Sequence, residues 1–352
     1  MQIPFIGRFY DNGSAPLKSG EAGPTDDKPG APQRHRPRIG IALGAGAARG
    51  WSHIGVLKEL CALGLKPDIV AGASIGAVVG GCFAAGRLDA LEQFACDLSP
   101  RRVFSLMDIT FSGAGLLGGG RLKGLLEKEL GDSQIEDMPI VFGAVATACA
   151  SGQEVWLTHG RMCDGVRASY ALPGIFEPVH INGRWLFDGA LVNPVPVTLC
   201  RALGADIVIA VNLISDSLGR SGLVDDQLLR PGVVEARIAA AGSKLADRPK
   251  RGMFRSQFSS RENGAPSITT AMLDAFNITQ DRIARSRLAG DPPDVSINSR
   301  VQNIGLFDFH RARELIEIGT ESVKRAQDEI EFQIGTLGVE LDRESETLGP
   351  TG

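Results

Sequence analysis

Between residue 37 and about residue 213 the chain alternates short apolar runs with stretches of helical spacing. The run at 37–43 becomes apolar from Ile39 on, which predicts a buried strand. Ile54, Leu57 and Cys61 then recur at i, i+3 and i+7, one face of a helix. A second apolar run at 68–71 predicts a strand, and a small-residue helix opens at Ser74. Further strands are expected at 140–147, 154–157 and 206–213, and a short one near 294–298. Two helices are expected in the C-terminal part. One is capped by Ser267 and turns Ile268, Met272, Phe276 and Ile283 inward. The other begins near Asp308, with Ala312, Leu315, Gly319, Val323, Ala326 and Ile330 on its inner face. Strands alternating with helices predict an α/β fold, a largely parallel central sheet flanked by helices.

Other stretches lack periodicity. Residues 1–36 hold five prolines among Gly, Asp and Lys, and read as a disordered leader. Residues 214–266, rich in Ser, Gly, Arg and Asp, read as a mobile insertion. The ordered core is therefore expected at 37–213, with helices in 267–334 completing the same domain and a frayed tail at 335–352. Within the insertion, Arg248, Lys250, Arg251 and Arg255 surround Met253, Phe254 and Phe258. A run of this kind can touch an anionic membrane surface or lie in water as a loop, and the loop is the commoner meaning.

Composition changes the picture in a few places. Charged residues make up 22% and hydrophobic ones 43% of 352 residues, as in a soluble globular chain. The formal charge of −4 supplies no concentrated basic surface for nucleic acid. Aromatics are 6% while glycines number 44, so the core is expected to be small and aliphatic with tight turns. Six cysteines without a CxxC pair read as small buried hydrophobes in a reducing compartment, not a metal site. The first residues show no signal peptide, and the expected location is cytoplasmic, with peripheral membrane contact through 248–258 as the rival. The 18 uncharged residues at 69–86 reach the lower limit for a membrane span, but five are Gly, and a strand, turn and small-residue helix fit them better.

Three local patterns carry chemistry. Gly72-Ala73-Ser74-Ile75-Gly76 is a G-x-S-x-G, common by chance in a glycine-rich chain. Here it lies between a strand and a helix, where a tight turn lifts a serine hydroxyl clear and a helix N-terminus favours a developing oxyanion. A glycine-lined junction with Ser74 as a simple cap is the plainer alternative. Gly44-Ala45-Gly46-Ala47-Ala48-Arg49-Gly50 also joins a strand to a helix. A dinucleotide fingerprint fails there, because Arg49 occupies its third glycine position, and Asp68 is poorly placed as the ribose acid. What remains is a loop whose backbone N–H groups can face an anion. Trp185-Leu186-Phe187-Asp188-Gly189-Ala190 puts an acid after an apolar run, at a strand end or in an ordinary Asp-Gly turn.

Together these patterns resemble the patatin-like phospholipase family, in its bacterial branch near the catalytic domain of neuropathy target esterase. The resemblance runs from about 38 to 213. It includes His53-Ile54-Gly55-Val56-Leu57 after the glycine-rich loop, the 168–179 segment before the acid, and Gly305-Leu306-Phe307-Asp308-Phe309-His310. It implies a carboxylic ester hydrolase with a Ser–Asp dyad and neither cofactor nor metal. Ser74 would be the nucleophile and Asp188 the general base, with Ala45, Gly46 and Ala47 donating to the oxyanion. Gly44, Arg49, Gly50, Gly72, Gly76, Gly189 and Ala190 would shape the motifs. Many members carry three successive glycines where this chain has Ala45-Gly46-Ala47, and Ala disfavours positive φ. The implied substrates are acyl esters of phospholipid or lysophospholipid type. An acyltransferase using the same acyl-enzyme is the rival reaction, and a nucleotide-binding module on the 44–50 loop is the rival of another class. A triad of Ser74, Asp188 and His310 is the less favoured arrangement. His53, at the start of the first helix, is expected to make a structural hydrogen bond.

Overall fold

The computed structural model describes residues 36–99, 120–214, 268–301 and 303–336. The leader up to 35, the 215–267 stretch with its 248–258 run and the expected cap at Ser267, and the tail from 337 lie outside these residues.

Strands β1 (Ile39–Leu43), β2 (Ile69–Ala73) and β7 (Ile207–Asn212) are buried at every position, as continuous aliphatic runs require in a sheet covered on both faces. With β3 (Val141–Ala148), β4 (Glu154–Leu157), β5 (Val179–Ile181), β6 (Arg184–Asp188) and β8 (Val295–Asn298) they form one eight-stranded sheet. Hydrogen-bonded neighbours run β5-β6-β3-β2-β1-β7-β8, and β4 also pairs with β3. The pairs among β3, β2, β1, β7 and β8 are parallel, whereas β3–β4, β3–β6 and β5–β6 are antiparallel. The sheet is thus mostly parallel but mixed.

A strand has two edges, yet β3 has three partners. β2 pairs with it up to Ala73↔Val145, β6 from Ala146↔Asp188 onward, and β4 across Ala144 to Thr147. The β4 register overlaps both others, so β2 and β6 must share the remaining edge, end to end. Backbone direction agrees: Val141 N–H reaches Asp68 O beside β2, and Cys149 N–H, an even number of residues on, reaches Trp185 O beside β6. The end of β2 therefore abuts the end of β6.

The β5–β6 hairpin was not among the expected strands. Its turn is Asn182-Gly183, both at positive φ (49° and 76°), the combination that Asn-Gly favours between paired strands. Beyond it, the six expected strands are present.

Helices cover both faces. On one lie α1 (Ser52–Ala62), α2 (Ile75–Ala84), α3 (Leu88–Cys96), α4 (Gly120–Leu130), α5 (Met162–Ser169) and α8 (Ala312–Thr336), over Ile41, Leu43, Phe142 and Ile209. On the other, α6 (Val197–Ala202) and α7 (Ile268–Gly290) cover a surface of small side chains that includes Ala42, Ala71 and Ala210. The charge-free 69–86 stretch is β2 followed by α2, and no helix among the described residues is long and apolar enough to cross a membrane.

Two helical faces differ from expectation. Helix α1 lies between the sheet and α8, so Ser52 to Leu57 are buried continuously, while Cys61 beyond the contact is exposed. In α7 the inner row is Phe276, Gln280 and Ala284, while Met272 is 65% exposed. The cysteines divide accordingly: Cys82, Cys163 and Cys200 are buried, Cys96 and Cys149 half-buried, and all are free thiols.

Contact between α1 and α8 depends on missing side chains. A methyl group on Gly319 would stand 2.0 Å from Ser52 O, backbone that cannot swing aside. Gly319→Ala should therefore destabilise the protein by roughly 1–3 kcal/mol despite the better helix propensity of Ala, read as a lowered thermal midpoint. A midpoint equal to or above that of the wild type would show that the helices do not meet so closely.

Candidate active site

Ser74 follows β2 directly and caps α2. Its backbone sits at φ 55°, ψ −123°, outside the ordinary right-handed regions. Such a conformation costs on the order of 1–3 kcal/mol and persists only where surroundings fix it. Close packing of the elbow does so: a methyl on Gly76 would lie 2.1 Å from Leu43 O, and one on Gly72 would strike the α2 backbone at Ala77. The turn projects the Ser74 hydroxyl towards the end of β6, where it donates to Asp188 Oδ2 at 2.7 Å.

Asp188 ends β6 and is 1% exposed. Ala190 N–H donates to Oδ1 at 2.8 Å, so each carboxylate oxygen has one donor. Thr147 hydroxyl fixes the Asp188 carbonyl at 2.8 Å, and Asp188 N–H donates to Ala171 O. A methyl on Gly189 would lie 2.1 Å from Val145 O, so glycine lets the chain turn against β3. Burial pushes the Asp188 carboxyl up to about 7, against the opposing pull of the Ala190 and Ser74 hydrogen bonds.

The 44–50 loop leaves the end of β1 beside this pair. Gly44 N–H donates to Val211 O and Ala45 N–H to Pro194 O. Ala45 therefore has no free N–H to offer an oxyanion, contrary to the role implied for it. Among the described residues the N–H groups of Gly46 and Ala47 have no such partner, and both residues line the cavity above Ser74. Ala47 adopts φ 51°, so the loop takes the left-handed turn even without glycine there. Gly50 packs against Ile75, with no room for a side chain between them.

The loop is held from two sides. His53 is fully buried and donates its Nε2–H to Gly44 O at 2.7 Å. Burial lowers its pKa to about 4, which keeps the ring neutral near pH 7. On the other side, the segment after β8 reaches back: Ala48 N–H donates to Leu306 O, Arg49 Nε–H to Ile304 O, and Phe309 stacks edge-on to Trp51. That accounts for the 305–310 motif, which braces the loop and walls the cavity. His310 is exposed, whereas Asp188 is buried and takes the Ser74 hydroxyl directly, with no histidine between them. Asp68 lies at the opposite end of β2 and accepts from Ile39 N–H, which leaves the loop without a ribose acid.

Above Ser74 and Asp188 the cavity is walled by Trp51, Val78, Phe94, Leu98, Phe176 and Phe309, with Asn277 and Gln280 of α7 among its few polar groups. A hydroxyl with a proton acceptor, two free N–H groups and an apolar trench suit attack on an ester bearing a hydrocarbon chain. No cluster of three or more His, Cys, Asp or Glu side chains placed to hold a metal occurs among the described residues. Sequence reasoning missed Thr147 and Ser169, the hydroxyls that fix the two ends. The Asn182-Gly183 hairpin signal was the available pointer to β6.

Residues 41–201 match the family model described as patatin-like phospholipase. An uncharacterized NTE family protein of Mycobacterium tuberculosis H37Rv is 32% identical over 84% of this chain and 93% of its own length. A lysophospholipase of Emericella nidulans is 32% identical over 50% of this chain, a match covering 12% of that protein. Among solved structures, human GIVD cytosolic phospholipase A2 in complex with a fluorophosphonate inhibitor is 14% identical, with a TM-score of 0.38 over 86% of this chain and 60% of that one. That last likeness is too loose to bear on the site. The chain belongs to the patatin-like phospholipase family, a class of lipid ester hydrolases.

Because the fold raises the Asp188 pKa, the folded state holds this proton more tightly than the unfolded chain. Stability from this group is present below pH 4 and is lost as pH rises through about 7. Asp188→Asn should therefore unfold at a higher temperature than wild type at pH 8, by up to about 4 kcal/mol in stability, with the gain shrinking towards pH 5. A variant less stable than wild type at pH 8 would contradict the buried, reluctantly charged carboxylate.

Proposed function

We propose that the protein hydrolyses acyl esters of phospholipids or lysophospholipids through an acyl-enzyme on Ser74. The observation that carries this reading is the 2.7 Å hydrogen bond from Ser74 Oγ to a buried Asp188 at the foot of an apolar cavity. Ser74 Oγ attacks the ester carbonyl carbon while Asp188 Oδ2 takes its proton. The carbonyl oxygen, now negative, lies within the field of the Gly46 and Ala47 N–H groups and the α2 N-terminus. As the tetrahedral species collapses, the C–O bond to the alcohol breaks, and the departing oxygen takes the proton from Asp188. Water then repeats the sequence on acyl-Ser74, giving the fatty acid and restoring both residues. A carboxyl with a pKa near 7 suits both halves: it is ionised enough to accept a proton and acidic enough to return one. No step calls for a metal or cofactor. Peripheral contact with a lipid surface through 248–258 belongs to the same reading.

Ser74→Ala should fold normally and lose on the order of 10⁶ in turnover of a nitrophenyl ester, together with covalent labelling by a fluorophosphonate. Retention of a tenth of the activity would remove Ser74 from the mechanism. For the wild type, kcat/KM should rise with pH through about 7 and then level off, following ionisation of Asp188. A profile flat from pH 5 to 9 would dissociate the rate from that carboxylate.

A further inference from the structure

Where β2 ends and β6 begins along the shared edge of β3, one ladder position is left over. The Val145 carbonyl faces this edge at the last β2 pairing, Ala73↔Val145, and the next residue of that chain is Ser74. Continuing the ladder would carry Ser74 along the sheet and away from the cavity. Instead a side chain fills the gap. Ser169, the last residue of α5 and fully buried, donates its hydroxyl to Val145 O at 2.6 Å and accepts Ser74 N–H at 3.0 Å. One hydroxyl thus satisfies both backbone groups that the interrupted ladder leaves behind, and it stands between them as a spacer.

We propose that Ser169 is a positioning residue for the nucleophile: its hydroxyl, wedged between Ser74 N–H and Val145 O, holds the elbow open and keeps Ser74 Oγ on Asp188. The wedge acts on the strained residue itself, through the N–H that immediately precedes the left-handed φ. Without it, two buried backbone groups lose their partners, a state avoided in native structures. Their nearest relief is to move towards each other, which draws Ser74 towards β3. Asp188 cannot follow, since Thr147 and Ala190 fix it to its own strand end. The Ser74 N–H is committed by this contact and is therefore not offered to the oxyanion.

The inference rests on the proposed role of Ser74 only for its kinetic consequence, and the test has a structural arm that does not. Ser169→Ala should lower kcat for a short-chain ester on the order of 10²-fold, the cost of a misplaced reacting atom, with KM little changed. A crystal structure of the variant should show the Ser74 Oγ–Asp188 Oδ2 contact opened beyond hydrogen-bond reach. Ser322→Ala is the control: Ser322 is also buried and donates to Ile318 O within α8, so its loss should leave kcat unchanged. If Ser169→Ala does not accumulate as folded protein, Ser169→Cys replaces it. The thiol donates weakly and sits further out, so the same kcat loss and opened contact are expected, smaller in size. A kcat equal to wild type, or an unmoved Ser74, overturns the proposal and leaves Ser169 an ordinary buried serine. Wild-type protein that turns over no ester would sink the hydrolase reading instead, while the variant structure still decides the wedge.

Discussion

Everything at the site depends on β3 giving one edge to two strands. Ser74 and Asp188 are 114 positions apart in the chain. They meet because β2 stops at Val145 and β6 starts at Ala146, so the residue leaving one strand end faces the residue closing the other. Sheet geometry fixes strand ends to within a fraction of a residue repeat, which is the tolerance a proton transfer needs. The price is a discontinuity in the ladder, and side-chain hydroxyls from Ser169 and Thr147 satisfy the backbone there.

The same junction concentrates unfavourable features. A serine with left-handed φ, an alanine at φ 51° and a buried carboxyl pushed up to about 7 lie within one cavity. Each would relax if its surroundings allowed. The rest of the fold prevents it: both sheet faces are covered, the elbow is packed glycine against backbone, and the loop is pinned by His53 and by the 304–309 segment. Stability elsewhere thus sustains a site that is locally unstable, the usual relation between reactive centres and their scaffolds.

Much of the fold was legible because short aliphatic runs such as Ile39–Leu43 and Ile207–Asn212, alternating with stretches of helical period, suit strands of a covered sheet. The two residues at the centre of the site were legible through their neighbours, the glycines that a tight strand–helix turn and a turn against β3 demand. Other features were not. Cys61 and Met272 fit a helical period, but periodicity does not tell where a helix projects past its partner. Ala45 fits the oxyanion pattern as well as Gly46 does, and only the Pro194 carbonyl, 149 positions away, distinguishes them. Ser169 lies in the 168–179 segment of the resemblance, but that pattern does not show what its hydroxyl touches, since the gap it fills lies between two strands that are not adjacent in sequence.

The brace on the 44–50 loop comes from residues 304–309, near the end of the chain. During synthesis Ser74 and Asp188 leave the ribosome long before that segment does. A nascent or prematurely terminated chain can therefore hold both Ser74 and Asp188 while the 44–50 loop is unsupported and the cavity above them lacks one wall.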